Sequence, residues 1–105
     1  MGRSIDRDIK QKIPSEYCYY CGRKLNRTNL SYDHVLPVQK GGRDNENNLV
    51  ACCMDCNQTK KNYTLYELVR ELGTQKKFCD DELRTATLDY QIKIFSLAIE
   101  RRKQI

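Results

Sequence analysis

The residues able to do chemistry crowd into one stretch, 33–60, which reads DHVLPVQKGGRDNENNLVACCMDCNQTK. It holds the only histidine, His34, with an acid, Asp33, directly before it. A neutral imidazole can take a proton from water. A carboxylate and an amide oxygen from the asparagine-rich tract are hard donors that suit Mg2+ or Mn2+. Such an ion polarises a phosphodiester and offsets charge on the leaving oxygen. An Asp, a His and an Asn therefore have the parts for metal-assisted hydrolysis. A lone histidine is more often structural, so the neighbours matter. Asp33 and His34 are adjacent, and in a regular strand they point to opposite faces. They share a site only where the strand bends or ends, and Pro37 follows closely.

Cysteines supply a second chemistry. Four of the six form two Cys-x-x-Cys pairs, Cys18/Cys21 and Cys53/Cys56, the ligand number and spacing of a closed tetrahedral zinc. Gly22 relieves the turn behind the first pair. A gap of 31 residues separates the pairs, so a folded element must lie between them. That element is the Asp-His run and the Gly41-Gly42 loop, whose two ends zinc would tie down. Structural zinc is worth about 10–16 kcal/mol in small peptides, enough to decide whether so small a core folds. A redox dithiol protein would need a βαβ setting that the chain lacks. Cys52 and Cys79 are expected to be core thiols.

The elements that position these residues read as strand, loop, strand, helix. Leu30–Pro37 is strand-like, 41–48 a polar loop, Leu49–Cys53 a second strand, and Met54–Asn62 a helix with Asp55 in its first turn. Upstream, Ile5, Ile9 and Ile13 predict a short amphipathic helix capped by Ser4 and stopped by Pro14. Its Arg7, Lys10 and Lys12 are read as surface charges before they are read as a DNA-reaching arm. Downstream, Thr64 with Glu67 has capping-box spacing for a helix closing on Gly73. A last helix runs from about 80 to 103, with Leu88, Ile92, Phe95 and Ile99 on one face and Leu83 and Ala98 nearby. Arg101, Arg102 and Lys103 suit its negative end.

At 105 residues, 39% apolar and 31% charged, the composition is that of one soluble globular domain. The longest apolar run, Leu49–Met54, is far too short to span a membrane. The N-terminus lacks an apolar signal segment and fails the myristoylation pattern at Asp6. A cytoplasmic protein is expected. The net charge of +5 is uneven, residues 1–63 carrying 11 basic against 7 acidic side chains. That is compatible with nucleic acid without arguing for it alone.

The ordered set Asp-His-Val-x-Pro, Gly-Gly, Asn-Leu-Val and Cys-x-x-Cys-Asn-x-x-Lys, from Tyr17 to Lys60, resembles the HNH endonuclease family in its zinc-stapled form. The resemblance implies an α+β fold, a small ββα-metal (His-Me finger) core with a four-cysteine zinc site and additional flanking helices. It implies that His34 is the general base, that Asp33 and Asn57 hold one catalytic Mg2+ or Mn2+, and that Asn48 braces the loop carrying His34. Cys18, Cys21, Cys53 and Cys56 would hold Zn2+. The expected organisation is a single nuclease domain over 1–105, with a core of about 17–62 and a helical extension over 64–105. Lys60 and Lys61 behind the metal helix, and Lys40 and Arg43 beside the Gly-Gly turn, are natural phosphate partners. DNA is the expected substrate, in a bacterial or phage-type setting, with a second copy or a larger targeting protein as partner. The alternative is a zinc-bound nucleic-acid-binding module that keeps the fold without the chemistry.

Overall fold

A computed structural model describes residues 5–103. The chain forms two compact units, Met1–Asn62 and Tyr63–Ile105. Secondary structure is mixed, a small antiparallel sheet among helices, and the first unit carries the chemistry-bearing stretch.

That unit begins with helix α1 (Arg7–Gln11). Asp6 caps it, its carboxylate accepting from the Asp8 N–H at 2.9 Å; Ser4, the expected cap, lies outside the described residues. Strands β1 (Leu30–His34) and β2 (Leu49–Cys53) pair antiparallel, with Leu30 opposite Cys53 and His34 opposite Leu49. This register puts one end of the hairpin against a cysteine pair and the other at the mouth of loop 35–48. β2 is buried at every position, which is why Leu-Val-Ala-Cys-Cys is apolar throughout rather than alternating. Helix α2 (Met54–Lys60) follows with no intervening loop and packs on both strands.

Two boundaries fall short of the sequence expectation for local reasons. β1 stops at His34 instead of reaching Pro37 because Asn48 takes over the next backbone groups. The Val35 N–H still makes the in-register bond to the Asn48 carbonyl, but the Leu36 N–H turns to the Asn48 side-chain oxygen. α2 ends at Lys60 because Lys61 adopts a left-handed backbone, φ 52°.

In the second unit, α3 (Leu65–Lys77) packs against α4 (Glu82–Lys103). The Thr64–Glu67 capping box is complete, with both reciprocal bonds formed. Gly73 does not end α3. Its φ is not in the left-handed range, and the helix runs one further turn before Phe78 caps it. A mid-helix glycine costs about 1 kcal/mol against alanine, and burial of Leu65, Leu68 and Leu72 holds the helix across it. On α4 the buried side chains are Leu88, Ile94, Phe95 and Ala98, while Ile92 and Ile99 are half-buried and Leu83 is exposed. At 100° per residue Leu83 stands about 140° round the helix from Leu88, too far to join the stripe. Cys52 is a core thiol, as expected, but Cys79 is half-buried in the α3–α4 turn, its Sγ 3.6 Å from the Asp81 carbonyl oxygen. Among the described residues no helix is long and apolar enough to cross a membrane.

Candidate active site

The four cysteines of the two Cys-x-x-Cys pairs converge. Their sulfurs all lie within 4.8 Å of one another, and Cys21 Sγ stands 3.8 Å from Cys53 Sγ. Zn–S bonds of about 2.3 Å in a tetrahedron put sulfurs about 3.8 Å apart, so the donor set fits zinc. The two knuckles use the same local device. The Cys21 N–H donates to Cys18 Sγ and the Cys56 N–H to Cys53 Sγ, each at 3.4 Å. Gly22 supplies the left-handed residue of the first knuckle, φ 80°, and Cys53 doubles as the cap of α2. Among the thiols, Cys18 is drawn down to about 4, chiefly by its hydrogen bond with Cys56, and the same bond pushes Cys56 up. Cys52 stays outside the cluster; burial pushes its thiol up to about 12, and Ser31 Oγ lies 3.6 Å from its sulfur.

The Gly-Gly loop is fastened by Asn48. Its amide nitrogen donates to the carbonyls of Leu36 and Arg43, at 3.0 and 3.1 Å, while its oxygen accepts from the Leu36 N–H at 2.8 Å. One side chain thus spans both limbs of the loop. The two glycines answer different needs. Gly41 is left-handed, φ 97°, whereas a Cβ at Gly42 would sit 1.7 Å from the Leu36 carbonyl oxygen. The second is a close approach of two backbones that admits no side chain.

β1 offers two faces to this framework. On the face meeting α2, Ser31 and Asp33 pair with Asn57 and Lys60, one helical turn apart. Asn57 Nδ2 donates to Ser31 Oγ at 3.1 Å, and Lys60 Nζ lies 3.1 Å from Asp33 Oδ2. Asp33 is buried and also accepts from the Tyr20 hydroxyl at 2.5 Å. Tyr20 comes from the first cysteine knuckle, so the acid joins knuckle, strand and helix. Burial pushes the Asp33 carboxyl up, against the pull of the Lys60 charge and of its hydrogen bonds with Tyr20 and Lys60. Burial, with the Asp33 charge behind it, holds the Tyr20 phenol well above its ordinary range.

Lys60 points inward, against the sequence expectation. Expected to reach a phosphate, its side chain is 0% exposed and donates to the His34 carbonyl oxygen, at 3.0 Å, as well as to Asp33. A fully buried ammonium with two internal partners does not present itself to a phosphate. Lys40, Arg43 and Lys61 are exposed.

His34 ends β1, and its side chain turns into the loop. Nε2 lies 2.5 Å from Asp44 Oδ1, with 16% and 19% of the two side chains exposed. A family model described as HNH endonuclease matches residues 18–73, more than half of the 105. The chain belongs to the HNH endonuclease family. It is also similar to the CRISPR-associated endonuclease Cas9 of Corynebacterium diphtheriae, 41% identical over 46 residues that make up 43% of this chain and 4% of that protein. A solved structure, the Type II-C Cas9 enzyme from Actinomyces naeslundii, is similar at 22% identity and a TM-score of 0.41, covering 76% of this chain and 11% of that one. The chain therefore spans a small fraction of either protein's length.

Two residues of this HNH chain escape a reading from sequence. Tyr20 reads as packing beside the zinc cysteines, and nothing local announces its bond to Asp33, 13 residues on. Asp44 reads as one more polar loop residue. The available signal was its place between the Gly-Gly turn and Asn48, in a loop braced at both ends.

Proposed function

We propose that this chain is a divalent-metal-dependent nuclease that hydrolyses DNA phosphodiester bonds. The observation that carries the reading is the place of His34. The only imidazole ends β1 at the mouth of a braced loop, partly exposed, while oxygen donors from Asp33 and Asn57 lie where β1 meets α2. In this reading His34 takes the proton of the attacking water. Asp33 and Asn57 would hold one Mg2+ or Mn2+, for which a carboxylate and an amide oxygen are suited donors. The ion, when bound, polarises the phosphoryl group and offsets charge on the leaving oxygen. Asn48 keeps the loop, and with it His34, in place. Zinc on the four cysteines fastens the far end of the hairpin. Lys40, Arg43 and Lys61 meet backbone phosphates, contacts that set affinity and salt dependence rather than sequence choice. One such site cuts one strand, so a double-strand break calls for a second copy, a second nick or a larger targeting protein.

A second reading, a zinc-bound nucleic-acid-binding module without chemistry, is favoured by one observation. The Asp33 carboxylate is already engaged by Lys60 and Tyr20. A nicking assay on supercoiled plasmid decides between the two. Zinc-loaded protein freed of other metals, with Mg2+ or Mn2+ added back, should relax the plasmid, and His34→Ala should lose at least about 100-fold. Folded wild type that binds DNA but never nicks it would leave the binding module standing.

A further inference from the structure

We propose that Asp44 is a positioning residue for His34: its carboxylate accepts the Nε2–H of the imidazole and leaves Nδ1 as the nitrogen that faces the reacting water. This rests on the nuclease reading. The distance of 2.5 Å from Nε2 to Oδ1, between side chains 16% and 19% exposed, is that of a short, sheltered contact. An ionised carboxylate only accepts, so the ring nitrogen beside it must carry the proton. A neutral imidazole then keeps its one free lone pair on Nδ1. The charge on the acid also stabilises the imidazolium that forms when the proton arrives, the role a buried aspartate plays beside a catalytic histidine elsewhere.

The backbone, rather than the dyad itself, holds Asp44 where it stands. Asn48 grips the carbonyl of Arg43, the peptide that leads into Asp44, and ties it to Leu36, two residues after His34. Gly42 brings the same two chain segments into contact, its N–H donating to the Pro37 carbonyl at 2.9 Å. Asp33 cannot take this part, because its oxygens are held by Tyr20 and Lys60. The two acids near the histidine thus face different partners, Asp33 the junction of β1 with α2 and Asp44 the ring.

The presence of one histidine makes the test direct. In zinc-loaded, 15N-labelled protein the imidazole gives a single set of signals. Wild type should show a low-field Nε2–H proton that exchanges slowly with water, and Asp44→Ala should exchange it at least about tenfold faster or lose it. The same substitution should lower kcat for plasmid nicking about 10- to 100-fold, with KM for DNA unchanged and zinc content and melting intact. Should Asp44→Ala fail to fold, Asp44→Asn keeps the loop's shape and must still speed the exchange, since a neutral amide oxygen is the weaker acceptor. An Nε2–H that ignores Asp44, in a wild type that nicks DNA, overturns the role of Asp44 alone. A slow Nε2–H in a wild type that cuts nothing overturns the nuclease reading and the catalytic sense of the dyad with it.

Discussion

The ammonium of Lys60 stands 3.1 Å from the carboxylate of Asp33, with neither group more than 6% exposed. A buried pair of this kind is weak evidence for stability as a whole, but breaking it from one side leaves an uncompensated charge inside. Lys60→Met should therefore destabilise the protein by about 3–5 kcal/mol. Removing both charges, in Asp33→Asn with Lys60→Met, should recover much of that loss. Urea unfolding of the zinc-loaded variants measures both. A Lys60→Met protein of wild-type stability with weakened DNA binding would return Lys60 to the phosphate role its sequence position suggested.

The four-cysteine cluster makes a sharper prediction. The two knuckles meet at the end of the β1–β2 hairpin where the register sets Leu30 against Cys53. Losing one ligand removes a contribution comparable to the whole stability of a small domain, about 5–15 kcal/mol. Cys21→Ser, or wild type stripped by a strong chelator, should lose bound zinc and its cooperative melting transition together. Circular dichroism melting alongside metal analysis tests this. A Cys21→Ser protein with full zinc and normal melting would show that the four thiols are not the staple.

Gly42 and Gly41 separate two kinds of backbone demand. A methyl group at Gly42 would overlap the Leu36 carbonyl, so the limbs of the loop must part and Asn48 must lose its grip. At Gly41 the Cβ meets nothing within 4 Å, and only the left-handed backbone is penalised. Gly42→Ala should cost about 1–3 kcal/mol as an overpacking change and lower nicking further than its stability loss explains. Gly41→Ala should cost about 1–2 kcal/mol with nicking largely kept. Equal losses of activity from both would mean that loop geometry does not govern His34.

Much of this was legible because the signals are local. The apolar run Leu49–Cys53 is β2 residue for residue, and Thr64 with Glu67 forms its capping box. The cysteine spacing alone was enough to bring four thiols together on paper, and the fold brings them together in space. What escaped depends on contacts made across the chain. Lys60 follows a helix of metal-site residues and looks like a phosphate partner, but the acid that buries it lies 27 residues earlier. The extension of α3 past Gly73 depends on leucines held from outside the helix, which the stop signal of a glycine cannot report. Asp44 belongs to the same class, because its significance lies in where Asn48 holds its backbone.

Lys61 closes α2 with φ 52° and ψ −134°, a backbone that favours glycine, and its side chain is exposed. Such strain costs about 1–3 kcal/mol and persists where something else requires the residue. In the nuclease reading that requirement is a phosphate. Lys61→Gly should then act in opposite directions on two measurements. It should stabilise the protein by about 0.5–1 kcal/mol or more, by relieving the backbone. It should also weaken DNA binding and reduce the dependence of log K on log salt by about one phosphate contact, roughly 0.9 in slope. Thermal melting and binding isotherms at several salt concentrations check the two arms. Higher stability with an unchanged salt slope would mean that the strain at Lys61 serves the turn into the second unit and not the nucleic acid.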